Sequence, residues 1–237
     1  MQIRILVDLG YPHDAAQCTS LQKFRNMKRI VFLGMALAGV VLFSAFQSKP
    51  TETLAIGAKA PLADHKMEDI SGKKISLQDA KRENGLLVVF SCNTCPFVVG
   101  SEGSEGWEGR YAELNKIAAS NGVGMVLVNS NEAKRSNGDN MSDMKTRAKS
   151  KGFADCKYVL DEKSELANAF FARTTPHVYL FDKDLKLVYK GAIDDNVDDS
   201  KKVTQPWVIN ALNNLKKGTA IDPAETKPVG CSIKRVS

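Results

Sequence analysis

The stretch Leu86-Leu87-Val88-Val89-Phe90-Ser91-Cys92-Asn93-Thr94-Cys95-Pro96 constrains the fold more than any other part of the chain. An apolar run from Leu86 to Phe90 that is polar on neither face makes a strand in the middle of a sheet covered on both sides. Pro96 has no backbone N–H and suits the first turn of a helix, where that donor would have no partner. Cys92 and Cys95 therefore stand where a buried strand hands over to a helix, with Asn93 or Thr94 as the capping residue. A thiol at the positive end of a helix has its pKa lowered from about 8.5 toward 7 or below, which makes it a nucleophile. A spacing of one helical turn lets the second sulfur resolve a mixed disulfide formed on the first. On this reading Cys92, nearer solvent, attacks, and Cys95, shielded in the first turn, resolves.

Strands and helices alternate along the rest of the chain. Ile70 to Leu77 reads as a hairpin around Ser71-Gly72, followed by the Leu86 to Phe90 strand, a helical stretch from about Cys95 to Ser120, and a strand at Met125 to Val128. A helix from Ser142 to Lys149 has Asn140 as its candidate cap. Next come a short strand at Tyr158 to Leu160 and a short helix at Ser164 to Ala172. Strands at Val178 to Phe181 and Leu185 to Tyr189 are joined by a tight turn, and a last helix runs from Gln205 to Lys216. The alternation predicts an α/β protein with a mixed sheet flanked by helices and an N-terminal hairpin extension, in the order of the thioredoxin fold. Glycines at 100, 103, 106 and 109 would weaken a continuous helix by about 3 to 4 kcal/mol relative to alanine, so a break is predicted between Val99 and Glu108. Such an insertion would lie beside the cysteines, either as a lip with Trp107, Glu102, Glu105 and Glu108 placed to touch a partner or as a flexible surface insertion.

The chain is 237 residues long, 43% hydrophobic and 25% charged, enough for one domain with a sizeable core. Its net charge of +6 is spread among 27 acidic residues and no basic run is interleaved with aromatics, so no nucleic-acid partner is predicted. Residues 1–26 precede a good start at Met27 and show no sustained period; they read as an over-extended start or a dispensable leader. Residues 27–49 place Lys28 and Arg29 before the uncharged Ile30 to Phe46, the pattern of a signal peptide or of a membrane anchor through residues 30–46. In either case the rest, a domain from residue 50 to 237, is expected to be exported to the periplasm or held facing it.

Export leaves Cys92, Cys95, Cys156 and Cys231 in the mature chain, and four such cysteines are also enough for two structural disulfides. A zinc site would need a second C-x-x-C pair or paired histidines, and only His65 and His177 lie downstream of the signal, so neither metal nor other cofactor is predicted. A copper(I) carrier using Cys92 and Cys95 as soft ligands is a separate reading, without a Met or His cluster to support it.

LLVVFSCNTCPFV, VLVNSNE, TTPHVYLFD followed by LVYKGAIDDN, and ETKPVGCSIK fall in the right order to resemble the redoxin (AhpC/TSA) branch of the thioredoxin superfamily, specifically its peroxiredoxin-like members with a C-x-x-C. The resemblance covers residues 56–234. It implies that Thr175-Pro176 is the cis-proline turn facing the dithiol, with the main chain of Thr175 free to pair with an extended substrate strand. It also makes Cys231 a further redox candidate, alongside pairing with Cys156 or remaining free. Cys156 reads as an inert packed thiol and His177 as a structural residue at a strand start.

The P-x-x-x-T-x-x-C box of peroxiredoxins fits neither register: counting back from Cys95 gives Val88 and Cys92, and from Cys92 gives Gly85 and Val89. Pro176 stands where an arginine is expected, and the acid that thioredoxin keeps on the preceding strand is missing from Leu86 to Phe90. The function implied is therefore an extracytoplasmic thiol-disulfide oxidoreductase acting on protein thiols or disulfides, with a further redox protein as its partner. A thiol peroxidase is the alternative.

Overall fold

The structure, a computed structural model, describes residues 53–236, so the leader at 1–26 and the signal or anchor segment at 27–49 lie outside the described residues. Among the described residues no helix is long and apolar enough to cross a membrane. In chain order the elements are β1 (Met67–Asp69), β2 (Lys74–Ile75), α1 (Leu77–Ala80), β3 (Gly85–Ser91), α2 (Pro96–Val99), α3 (Tyr111–Ser120) and β4 (Val123–Asn129). These are followed by α4 (Met141–Ser150), β5 (Lys157–Leu160), α5 (Glu165–Ala169), β6 (Thr174–Thr175), β7 (His177–Asp182), β8 (Leu187–Gly191), α6 (Trp207–Lys217) and β9 (Cys231–Ser232).

Side chains alternate across a strand, so the apolar run of β3 feeds two cores at once. Leu87 and Val89 enter one and Leu86, Val88 and Phe90 the other, all fully buried. β4 and β7 divide in the same way, with Leu127 and Leu180 on the first face and Val128 and Phe181 on the second. The first core is closed by Tyr111, Leu114 and Ala118 of α3, Met144 and Ala148 of α4, and Val208, Ala211 and Leu212 of α6, each set at helical spacing. The second is closed by Leu77 and Ala80 of α1, Leu166 and Ala167 of α5, and Phe170, whose ring meets Phe90, Tyr179 and Phe181 edge to face.

The strands form a seven-stranded sheet in the order β2-β1-β5-β4-β3-β7-β8. β3, β4 and β5 run parallel, and β7 and β8 add antiparallel to one side of them. The hairpin of β1 and β2 joins antiparallel at β5. A separate two-stranded sheet of β6 and β9 lies outside this frame.

Local chemistry moves several boundaries from where pattern alone puts them. The hairpin turns at Ile70 to Lys73, and Leu77 opens a helix because Ser76 caps the Asp79 N–H while the Asp79 carboxylate caps the Ser76 N–H. Asn140 caps α4 as expected, accepting from Asp143 N–H at 3.0 Å. The helical stretch from Cys95 to Ser120 is broken where its glycines predict a break: α2 ends at Gly100 and α3 begins only at Tyr111. Gly100 has φ +83 and Gly106 φ +67, and a Cβ on Gly106 would stand 2.3 Å from Gly100 N, so the two glycines fold the insertion back on itself.

Candidate redox site

β3 delivers Cys92 to the C-terminal end of an interior strand of the sheet, and Pro96 starts α2 one residue after Cys95. The residue at the helix cap is Cys95 itself, in place of Asn93 or Thr94, whose side chains point elsewhere. Asn93 Nδ2 donates to Gly138 O at 2.8 Å, and Thr94 Oγ1 donates to Asp139 Oδ2 at 2.7 Å. Asp139, fully buried, also accepts from Asn93 N–H at 2.6 Å and from the side chains of Asn129 and Asn131. One carboxylate thus holds the backbone and side chains between the two cysteines.

Both sulfurs are buried: Cys92 is 2% exposed and Cys95 3%, so Cys92 is not the outer of the pair. Cys92 Sγ lies 3.2 Å from Thr175 Oγ1. Cys95 Sγ lies 3.3 Å from Thr175 O and 3.4 Å from the backbone nitrogen of Cys231, which donates to it. The Cys92 thiol, the Cys231 thiol and the amides of Cys231 and Phe97 all favour the ionised form of Cys95. One carbonyl opposes several donors, and the donors win: the Cys95 thiol is brought from 9.0 down to about 5. Cys92 goes the other way, pushed well up by burial and then by holding its proton toward Cys95. The groups form one chain, with the Thr175 hydroxyl donating to Cys92, Cys92 to Cys95, and the Cys231 amide closing on Cys95 from the far side. Because α2 is a single turn, these local donors rather than a long helix dipole set the thiolate.

The Thr175-Pro176 bond is cis and faces the dithiol. The main chain of Thr175 is not free, however. β6 pairs antiparallel with β9, setting Thr174 opposite Ser232 and Thr175 opposite Cys231. The edge expected to receive a substrate strand already carries the protein's own C-terminal strand.

His177 is buried, bonded through Nδ1 to the Tyr179 hydroxyl at 3.2 Å, and burial brings its pKa to about 3, so the ring is neutral and structural. Cys156 is buried against Tyr111 O, unpaired with Cys231, its thiol pushed up to about 12 by burial. All four described cysteines are free thiols. Trp107 and Glu108 do not form a lip for a partner. Trp107 is buried with Nε1 donating to Asp194, and Glu108 is buried in a paired contact with Arg147 at 2.6 and 2.8 Å. Among the described residues no three His, Cys, Asp or Glu side chains are placed to hold a metal ion, and no Arg or Lys side chain hydrogen-bonds either sulfur.

Sheet order, cis proline and dithiol position together define a thioredoxin-like α/β protein. The chain belongs to the Redoxin family, whose profile matches residues 55–205. A solved structure of an uncharacterized conserved protein from Geobacillus kaustophilus is 32% identical over 77% of this chain and 93% of its own, with a TM-score of 0.68. A hypothetical protein from Sinorhizobium meliloti is 28% identical over 78% of this chain and 97% of its own, with a TM-score of 0.69. No curated protein matches the chain.

Proposed function

We propose that the protein is a thiol-disulfide oxidoreductase in which Cys92 and Cys95 alternate between a dithiol and a disulfide. The observation that carries this is the ring of donors around Cys95 Sγ beside a protonated Cys92. A stabilised Cys95 thiolate is a good leaving group when the disulfide is attacked and an available nucleophile when it re-forms. The roles differ from those read off spacing: Cys95 is the ionised sulfur, and Cys92 gives up its proton to close the bond with it. The same donors stabilise the reduced form, which favours an oxidising couple. Thr175 and Pro176 face the dithiol, with Thr175 touching both sulfurs. Partners are protein thiols or disulfides, with a second redox protein restoring the starting state.

Equilibrating the protein in glutathione buffers tests this. A two-electron couple between about -120 and -270 mV, lost in Cys95→Ser, with the Cys92–Cys95 disulfide itself absent by mass mapping in Cys92→Ser, is expected; absence of a couple, or a pair resisting reduction below about -300 mV, would make the cysteines a staple. Rapid hydrogen peroxide consumption by the same preparation would instead favour a peroxidase. Reading residues 27–49 as a signal or anchor supports export, and the expected outcome is that the domain in whole cells is reached by protease only after the outer envelope is opened.

A further inference from the structure

Three thiols meet at this site, and only one of them is open to solvent. Cys92 and Cys95 are almost completely covered, whereas Cys231 is half-buried and stands directly opposite Thr175 on β9. Its amide donates to Cys95 Sγ at 3.4 Å and its own thiol hydrogen-bonds the same sulfur. The strand bearing it is fastened on both sides. Upstream, Thr226 Oγ1 lies 2.7 Å from the Tyr189 hydroxyl, and Thr226 N–H donates to Lys190 O. Downstream, Ile233 is buried with its N–H on Arg173 O, and Arg235 donates to Ala172 O and Asn168. Gly230 lets the strand come in close: a Cβ there would stand 2.2 Å from Thr175 O.

We infer that β9 is a built-in substrate strand and that Cys231 is the sulfur through which the buried Cys92–Cys95 disulfide exchanges with partner proteins. The inference rests on the dithiol reading above and adds its route. In the first step the Cys231 thiol, which burial keeps protonated at neutral pH, gives its proton to solvent and attacks Cys95 Sγ, the Cys92–Cys95 bond breaks, and Cys92 leaves with its electron pair and takes up a proton. In the second, a partner thiolate attacks Cys231 Sγ from solvent, the Cys95–Cys231 bond breaks, and Cys95 leaves as the thiolate its surroundings hold. In the third, the partner's second thiolate attacks the partner sulfur of the mixed disulfide and releases Cys231. The partner's two thiols end as a disulfide, and the protein's disulfide ends as two thiols; electrons and protons balance with no other reactant. A low-pKa leaving sulfur at Cys95 speeds the second step.

The test mixes the whole oxidised protein with reduced, unfolded lysozyme for a single turnover, quenches with acid, alkylates, and maps the disulfides by mass. Cys92→Ser is expected to hold a Cys95–Cys231 disulfide when oxidised and, at early quench times, to carry lysozyme transiently on Cys231 before the partner's second thiol releases it. Cys231→Ser, and separately Gly230→Ala, which keeps the thiol but displaces its strand, should each slow transfer at least about tenfold. A mixed disulfide on Cys92 or Cys95, with Cys231→Ser turning over within about twofold of the parent, overturns the relay and leaves the dithiol reading standing. No transfer to lysozyme by the oxidised parent protein overturns both.

Discussion

Cys95 and Cys156 are equally buried, each 3% exposed, and yet they are opposite chemical objects. Among the described residues Cys156 has one hydrogen-bond partner, the Tyr111 carbonyl, an acceptor at 3.7 Å that favours the protonated thiol. Burial, helped by the neighbouring charge of Asp155, then carries the thiol up to about 12. Around Cys95 the partners are donors, and they outweigh the same burial and bring the thiol to about 5. Low exposure therefore does not make a cysteine inert. What decides is whether the polar groups aimed at the sulfur stabilise the charged or the neutral form.

The largest test of this contrast is replacement of each sulfur. Cys95→Ser is expected to reduce disulfide exchange by at least about a thousandfold, and Cys156→Ala to change it less than about twofold, because only the first sulfur carries the reaction. Insulin reduction or lysozyme oxidation reads both. Stability against pH sharpens the same comparison in the reduced protein. Folding lowers the Cys95 pKa from 9.0 to about 5, so its contribution is lost as pH falls through 5, grows between the two values, and is complete above 9. Cys156 has its pKa raised from 9.0, so it opposes folding above that pH, where the unfolded thiol ionises and the folded one does not. Denaturant midpoints should therefore rise from pH 5 to pH 9 in the parent protein and stay flatter in Cys95→Ser, with the rise ending near 9. A parent profile parallel to that of Cys95→Ser would break the comparison.

Asp139→Asn is the next largest. The carboxylate accepts from the Asn93 amide, the Thr94 hydroxyl and two asparagine side chains, and an amide there would turn one donor toward another. A loss of about 3 kcal/mol of folding stability is expected from breaking a buried charged network, read from chemical denaturation of the oxidised protein. An Asn variant as stable as the parent would show that the loop between the cysteines is held by something else.

The middle of the sheet was legible in the sequence because its signal is local. Five apolar residues in a row leave no polar face, and Asn140, Pro96 and Pro176 each act on their own neighbours in the chain. The contacts that tune the site have no such signal. Asp139 reaches Asn93 across 46 positions and Cys231 reaches Cys95 across 136, and β6 and β9 pair over only two residues each, too few to leave a period. Trp107 and Glu108 misled for a related reason: a glycine-rich insertion reads as exposed, but Asp194 and Arg147, distant in sequence, draw both side chains inward. Cys92 was placed outside Cys95 on the analogy of a helix beginning between them. The helix begins after both.

The smallest effect belongs to Thr175, the far end of the hydrogen-bond chain. Thr175→Val keeps the β-branched shape, the cis junction and the main-chain pairing with Cys231, and removes only the hydroxyl 3.2 Å from Cys92 Sγ. That hydroxyl favours the ionised form of Cys92, so its loss raises an already raised thiol further and makes Cys92 slower to give up its proton. A single neutral hydrogen bond is worth about 1 kcal/mol, so closure of the Cys92–Cys95 disulfide should slow by about three- to tenfold in rapid-quench measurements. The pH at which the Cys95 thiolate is lost, followed by its ultraviolet absorbance, should stay near 5, because the donors that set it come from Cys231 and Phe97 as well as from Cys92. If that midpoint instead climbed toward 9, the thiolate would depend on the Thr175 end of the chain, and the contrast with Cys156 would rest on one hydroxyl rather than on a set of donors.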